Sequence, residues 1–427
     1  MLRQLKTGRK LATAFCLVTL AAIALAQTLR GGRLAEAAPA SIASVSSLSA
    51  GLPHLPGGDE PRAHRLSWSR VREDGSGYVE VLHDGGRAEL TLDPAMQHRA
   101  ERLLGEYPAP YAAAVVISVD DGRVLALAGR STVEPEKNAA DLALTAWAPA
   151  ASVFKLVTSA ALLAAGVQPN ERVCYHAGVH SLEADNLEDH PELDQRCKSF
   201  AYGLAKSQNA IVGRLAHDHL DADSLTRMAR ALGFGSAPSF ALPVQPSLLE
   251  VPGGDDPLAF ARVAAGFWNT TLSPLHGAML AATLARGGVT PPVKLIERLF
   301  DGDGRPQPVP AAAPATRVLD EHIAHVVGRM MIGTTEWGSA RGAFHEGNRR
   351  ALGRVRVAGK TGSLNRAEPF TAYSWFVGFA PAEAPRVAFA VLLGRDEDND
   401  VKAAQVARAL VASWLTSTRG TSAVARR

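Results

Sequence analysis

The strongest constraint on this chain is the placement of its apolar strand-forming segments, which stand in two groups on either side of a long helical stretch. The segment "AAAVVISVDDGRVLALAG" (Ala112 to Gly129) reads as two apolar strands around Asp121 and Gly122, a dipeptide suited to a hairpin turn. From Arg354 onward, "RVRVAGKTGS", "AYSWFVGFAP" and "RVAFAVLLG" read as three successive strands, and "DVKAAQVARALVASWL" reads as a closing helix. The middle, from Pro149 to about Val289, is mostly helical by pattern. This order predicts an α+β fold with an antiparallel sheet built from both chain ends and a large helical region between them.

Residues 90–416 are expected to form this domain. It opens at "LTLDPAMQHRAERLL", an aspartate-led amphipathic helix with Pro94 in its first turn. The preceding "GYVEVLHDGGRAELTL" alternates around Asp84, Gly85 and Gly86, and predicts a small hairpin pedestal over 59–89. Residues 31–58 are rich in Ala, Ser and Pro and predict a flexible tether, and 417–427 read as a disordered basic tail.

At the N-terminus, "MLRQLKTGRK" supplies a basic flank to the uncharged stretch from Leu11 to Leu29. Residues 1–30 thus read as a signal anchor or a signal peptide, with the rest of the chain exported. "ALA" at Ala24 to Ala26 is a possible cleavage site, but the uncharged run continues past it, which favours an anchor. The expected location is a single-pass inner-membrane protein with its catalytic domain extracytoplasmic or periplasmic. A formal charge of +3, with 45 Lys and Arg scattered along the chain, gives no support for nucleic-acid binding. In an oxidising compartment Cys174 and Cys197 could form a disulfide, or could be two independent small core residues.

One helix in the middle carries an odd polar stripe. "PAASVFKLVTSAALLAAG" (149–166) is nearly all apolar apart from Ser152, Lys155, Thr158 and Ser159, and such a helix is normally buried. A serine needs a neighbouring base to become a nucleophile, and a lysine can be that base only if burial or nearby positive charge lowers its pKa. Spacing i, i+3 places both on one face. By itself S-x-x-K is weak evidence, because a chain this long holds one or two by chance. Two later segments strengthen it: "AKSQNA", with Ser207 and Asn209, and "AGKTGS", with Lys360, Thr361, Gly362 and Ser363.

S-x-x-K, S-x-N and K-T-G in this order form the triplet of the penicillin-recognising serine enzymes. The chain resembles the transpeptidase domain of the penicillin-binding proteins from about Leu90 to Leu415. "GFWNTTLSPLHGAMLAATLARGGV" and "YSWFVGFAP" are similar to segments flanking the third motif. The resemblance implies a β-lactamase/transpeptidase-like fold and a peptidoglycan D,D-transpeptidase that crosslinks stem peptides and is acylated by β-lactam antibiotics. It implies that Ser152 attacks the D-Ala-D-Ala carbonyl, Lys155 takes the serine proton, and Ser207 relays a proton to the leaving amine. Asn209 would bond the substrate amide. Lys360 would keep Lys155 deprotonated by its charge and draw in the substrate carboxylate, which Thr361 and Ser363 would also bind. Gly359 and Gly362 would let an extended peptide lie along the strand edge, and the NH groups of Ser152 and Ser363 would form the oxyanion hole. Many relatives have Gly before the nucleophile, whereas this chain has Ala151, which keeps the position small.

Within that superfamily, "LPVQPSLLEVPGGDDP" offers no convincing equivalent of a deacylating glutamate loop, and Asn209 is polar where another β-lactamase class has an apolar residue. Both departures favour a transpeptidase. A D,D-carboxypeptidase, a serine β-lactamase and a low-turnover wall-binding scaffold remain alternatives. No glycosyltransferase domain or large pedestal is expected, which leaves cell-wall synthesis partners open. The chemistry needs no metal or cofactor. His217, Asp218 and His219 do not share a helical face, and "DGDG" (301–304) reads as a turn.

Overall fold

The computed structural model describes residues 66–424, apart from 76, 177, 253–255, 398 and 399. The uncharged stretch 11–29 and the tether 31–58 lie outside the described residues. Among the described residues no helix is long and apolar enough to cross a membrane.

The described chain begins with strands β1 (Val71–Asp74), β2 (Gly77–Val81) and β3 (Arg87–Leu90), followed by helix α1 (Pro94–Glu106). Asp93 caps α1, its side chain accepting from the Met96 N–H at 2.8 Å, with Pro94 at the first helical position as the sequence predicts. The hairpin β4 (Tyr111–Ser118) and β5 (Val124–Ser131) comes next. The helical middle contains α2 (Lys155–Ala164), strands β6 (Arg172–Tyr175) and β7 (Arg196–Ser199), then α3 (Phe200–Lys206), α4 (Asn209–His219), α5 (Pro257–Ala264) and α6 (Pro274–Ala285). Strands β8 (Ile296–Phe300) and β9 (Pro306–Gln307) precede α7 (Glu321–Glu336). The chain then forms β10 (Ala358–Arg366), β11 (Thr371–Ala380), β12 (Val387–Arg395) and α8 (Ala403–Val424).

The main sheet has the order β10-β11-β12-β4-β5 and is antiparallel throughout, so it is built from both ends of the domain as expected. Every residue of β11 and β12 is buried, which explains their continuous apolar character: both faces are covered. Period-two alternation divides them between two cores. Ala388, Ala390 and Leu392 face one core with Leu275 and Ala278 of α6, while Phe389, Val391 and Leu393 face another with Leu103 of α1 and Val406 and Leu410 of α8. The buried Trp375 indole donates to the Pro149 carbonyl at 2.9 Å, tying β11 to the segment that leads into α2.

Two domain expectations change. Of the segment 59–89, the described residues 66–89 do not form a separate hairpin, because β3 pairs antiparallel with β8 in a five-stranded sheet of order β1-β2-β3-β8-β9. Its apolar residues Tyr78, Leu82 and Ala88 join the same core as Leu299, since a two-stranded hairpin alone buries too little. The closing helix continues to Val424, so most of the segment expected to be a disordered tail from 417 is helical. The "DGDG" segment is a turn, with Asp301 Oδ1 accepting from the N–H groups of Asp303 and Arg305 at 3.0 and 2.8 Å.

Candidate active site

The polar stripe lies where the chain enters α2. Ala151–Phe154 form a 3-10 turn and the α-helix starts at Lys155, a tighter entry than a helix beginning at Ser152. Ser152 is half-buried and Lys155 fully buried. Their Oγ and Nζ atoms are 2.9 Å apart. Lys155 Nζ also donates to Asn209 Oδ1 at 2.6 Å and to the Ala265 carbonyl. Burial pulls the Lys155 pKa down from 10.5 to about 7.

This hydrogen-bond set constrains the neutral amine. Asn209 Oδ1 and the Ala265 carbonyl can only accept, so they take its two N–H groups. The lone pair is then left for the remaining partner, the Ser152 hydroxyl, which has a proton to give.

The second motif joins two helices. Ser207 ends α3 in the left-handed region at φ 59, and Asn209 opens α4. Ser207 Oγ accepts from Lys360 Nζ at 2.8 Å. Ser207 and Ala151 are the two non-glycine residues with positive φ among the described residues, and both stand in the motif region. Ala151, at φ 48, therefore occupies a conformation that Gly adopts without strain, so being small does not make it an equivalent replacement.

The third motif lies on β10, at the edge of the main sheet. Lys360 and Gly362 address one side of the strand and Thr361 and Ser363 the other. A Cβ on Gly362 would lie 3.2 Å from Val153 Cγ2, which places this strand against the turn carrying Ser152. A Cβ on Gly359 would collide with the Phe376 ring on β11. Ser363 is exposed and Thr361 half-buried.

Lys360 differs from expectation. It is fully buried, and burial first, then the charge of Lys155, holds its pKa well below the ordinary lysine range. Burial lowers the Lys155 pKa, and the charge of Lys155 adds to burial in lowering that of Lys360. The pair is better treated as two amines that resist carrying protons together.

Other expected residues fall as follows. Asn209, expected to bond the substrate amide, has its Oδ1 on Lys155 and its Nδ2 on the His180 carbonyl at 2.9 Å, leaving one N–H uncommitted. Cys174 and Cys197 face each other across β6 and β7 and their sulfurs are bonded at 1.94 Å. His217 and His219 lie in the last turn of α4, and among the described residues no group of three or more His, Cys, Asp or Glu could hold a metal.

Three neighbours of the motifs went unassigned in the sequence. Ser339 Oγ lies 2.6 Å from Thr361 Oγ1. Ala265 supplies the carbonyl on Lys155, and Gly266 (φ +84) turns the chain so close to the nucleophile that a Cβ there would lie 3.1 Å from Ser152 Cα. The Gly residues in "AAGF" and "WGSA" were the available signals, but neither names its partner.

The fold and this Ser–Lys geometry define the class of penicillin-recognising serine enzymes. The family model for the penicillin binding protein transpeptidase domain matches residues 112–412, and the chain belongs to that family. It is 26% identical over 367 residues to the peptidoglycan D,D-transpeptidase PbpA of Mycobacterium tuberculosis, covering 78% of this chain and 73% of the relative. Its structure is similar to that of penicillin-binding protein A from M. tuberculosis in an imipenem acyl-enzyme complex. That match has TM-score 0.62 and 27% identity, covering 77% of this chain and 79% of the other. The penicillin G acyl-enzyme complex of the same protein matches with TM-score 0.63 and 25% identity, covering 78% of this chain and 81% of the other.

Proposed function

We propose that this chain is a peptidoglycan D,D-transpeptidase that crosslinks stem peptides through an acyl-enzyme on Ser152, and that β-lactams acylate the same oxygen. The observation that carries the reading is the 2.9 Å approach of Ser152 Oγ to the fully buried amine of Lys155. A buried lysine poised near neutrality costs stability, and proton transfer from the nucleophile gives it a use.

In the proposed reaction the Ser152 hydroxyl passes its proton to the Lys155 lone pair as Oγ attacks the carbonyl of the penultimate D-Ala. The developing oxyanion is received between the NH groups of Ser152 and Ser363. The C–N bond breaks, and Ser207 gives a proton to the departing D-Ala amine. Lys360, 2.8 Å from Ser207 Oγ, restores that proton, so one proton in all moves from the serine to the leaving nitrogen within the lysine pair. The substrate carboxylate, held by Thr361 and Ser363, favours the charged form of Lys360 when it arrives. Asn209 has one N–H free for the substrate amide. The amine of an acceptor stem then attacks the ester and the steps reverse.

An extended donor peptide would pair along the open edge of β10. The uncharged stretch 11–29 behind a basic flank supports a membrane anchor, with the catalytic domain on the peptidoglycan side.

The test is intact-mass spectrometry of the exported domain with a penicillin, beside Ser152→Ala, followed by D-Ala release with and without an amine acceptor. A long-lived adduct on wild type alone, with release into a crosslinked product, is expected. Release into water only would make it a carboxypeptidase. An adduct lost within seconds as drug is consumed would make it a β-lactamase, and neither adduct nor drug consumption would leave a scaffold.

A further inference from the structure

Both acceptors that hold the Lys155 amine are backed by one loop, which joins β6 to β7. The backbone carbonyl of Val179 accepts from the Asn209 N–H at 3.2 Å, and that of His180 accepts from Asn209 Nδ2 at 2.9 Å. Since a carbonyl can only accept, the His180 contact forces the carboxamide to present Oδ1 to Lys155. On its other side the loop packs Leu182 and Leu187 into a small cluster with Ala261 and Ala265, the residue whose carbonyl takes the second Lys155 N–H.

One side chain gathers this loop. Arg214 lies on α4, five residues after Asn209, and is itself buried. Its Nε donates to the Asn186 carbonyl at 2.8 Å, its Nη1 to the Cys174 carbonyl at 3.0 Å and to Asp189 Oδ1 at 3.0 Å, and its Nη2 to the Glu188 carbonyl. Nη1 also lies 3.4 Å from Asp194 Oδ2. Asp194 in turn bonds His176 Nδ1 at 2.6 Å. Burial pushes the Asp194 carboxyl up, but hydrogen bonds from His176 and His190 and the charges of Arg214 and His176 outweigh it, so it stays ionised. None of these hydrogen bonds of Arg214 reaches the three motifs.

We infer that Arg214 is a positioning residue for acylation: by clasping the 178–194 part of the loop to α4 it locks the Asn209 carboxamide, and thereby aims the Lys155 lone pair at Ser152. A planar guanidinium suits this task because its five N–H donors reach several acceptors in fixed directions, which a lysine cannot do. If the loop lifts, the Asn209 amide is free to turn and present Nδ2 to Lys155. An N–H there occupies the lone pair that must receive the serine proton. The carboxylate-binding face of the cleft, on β10, does not depend on the clasp, whereas the Asn209 N–H offered to the substrate amide does.

This inference rests on the proposed Ser152 acyl-enzyme, so wild type and Ser152→Ala are run with it. Acylation of the full chain by a fluorescent penicillin is resolved into the initial binding constant and the acylation rate constant for wild type, Arg214→Met, Arg214→Lys and Gly213→Ala. The last variant needs no uncovered charge, since a Cβ at 213 would lie 2.7 Å from Leu182 Cδ2 and must displace the Leu182 side chain that packs the loop against Ala261 and Ala265. It decides the matter if Arg214→Met does not fold. A folded variant should lose about 10- to 100-fold in the acylation rate constant, with a smaller loss in initial binding from the misplaced Asn209 N–H, and Arg214→Lys should recover part of both. Folded Arg214→Met or Gly213→Ala proteins that acylate at the wild-type rate would overturn the inference while leaving the enzyme reading intact. Failure of wild type itself to be acylated would instead remove the reading on which it stands.

Discussion

Gly266 lies so close behind the nucleophile turn that a Cβ on it would reach Ser152 Cα at 3.1 Å and the Ala151 carbonyl more closely still. Its φ of +84 adds a conformational reason for glycine. A methyl group at 266 must therefore displace either the turn holding Ser152 or the neighbouring Ala265 carbonyl on Lys155. Gly266→Ala should slow penicillin acylation at least tenfold and lower the melting temperature by several degrees, from strain of about 1–3 kcal/mol. Stopped-flow acylation and thermal melts check this; a variant with unchanged rate and stability would show that the close approach does not matter.

The acylation rate should depend on pH through Lys155. Burial places its pKa at about 7, below the ordinary 10.5, and only the neutral amine can receive the serine proton. The rate constant for covalent labelling should therefore rise with pH, about tenfold per unit well below 7, and level off above it. Measured between pH 5.5 and 9 on a stable β-lactam, a profile still climbing at pH 9 would mean that Lys155 titrates as an ordinary lysine.

Ser339 should affect recognition more than chemistry. Its hydroxyl lies 2.6 Å from that of Thr361 and limits where the Thr361 proton points. Ser339→Ala should weaken initial β-lactam binding about three- to tenfold, the loss expected from one hydrogen bond of ~1 kcal/mol, with the acylation step little changed. Kinetic separation of the two constants tests this, and a loss confined to the acylation step would contradict it.

The bond between Cys174 and Cys197 closes a segment with sequence separation 23. Constraining a loop of that length in the unfolded chain stabilises the fold by about 3 kcal/mol in the chain-entropy model. Cys174→Ser with Cys197→Ser should lower the denaturant midpoint accordingly, as should reduction of the wild type. Equal midpoints for oxidised and reduced protein would remove the bond from the stability of the domain.

These four cases differ in how far they could be read from residue types. Ser152, Lys155, Ser207, Asn209 and Lys360 carry chemistry in their side chains, and their order along the chain identifies the family. The hairpin at Asp121 and Gly122 and the three closing strands were legible because apolar runs and turn residues act locally. The Ala265 carbonyl was not, because any residue supplies a backbone oxygen. Arg214 reads as an ordinary basic residue until the loop returns over α4. Pairing of β3 with β8 joins residues some two hundred positions apart, beyond any local pattern. "TSTRGTSAV" has weak helix formers, yet α8 continues through it.

The position of β10 at the sheet edge also orders events during synthesis. It joins the sheet only through β11, which reaches β4 only through β12, so the strand bearing Lys360 cannot be seated in the sheet until two later strands are available. A nascent chain that already displays Ser152 and Lys155 has no completed cleft to offer. Competence to be acylated therefore belongs to the completed sheet and is gained only once β12 is in place.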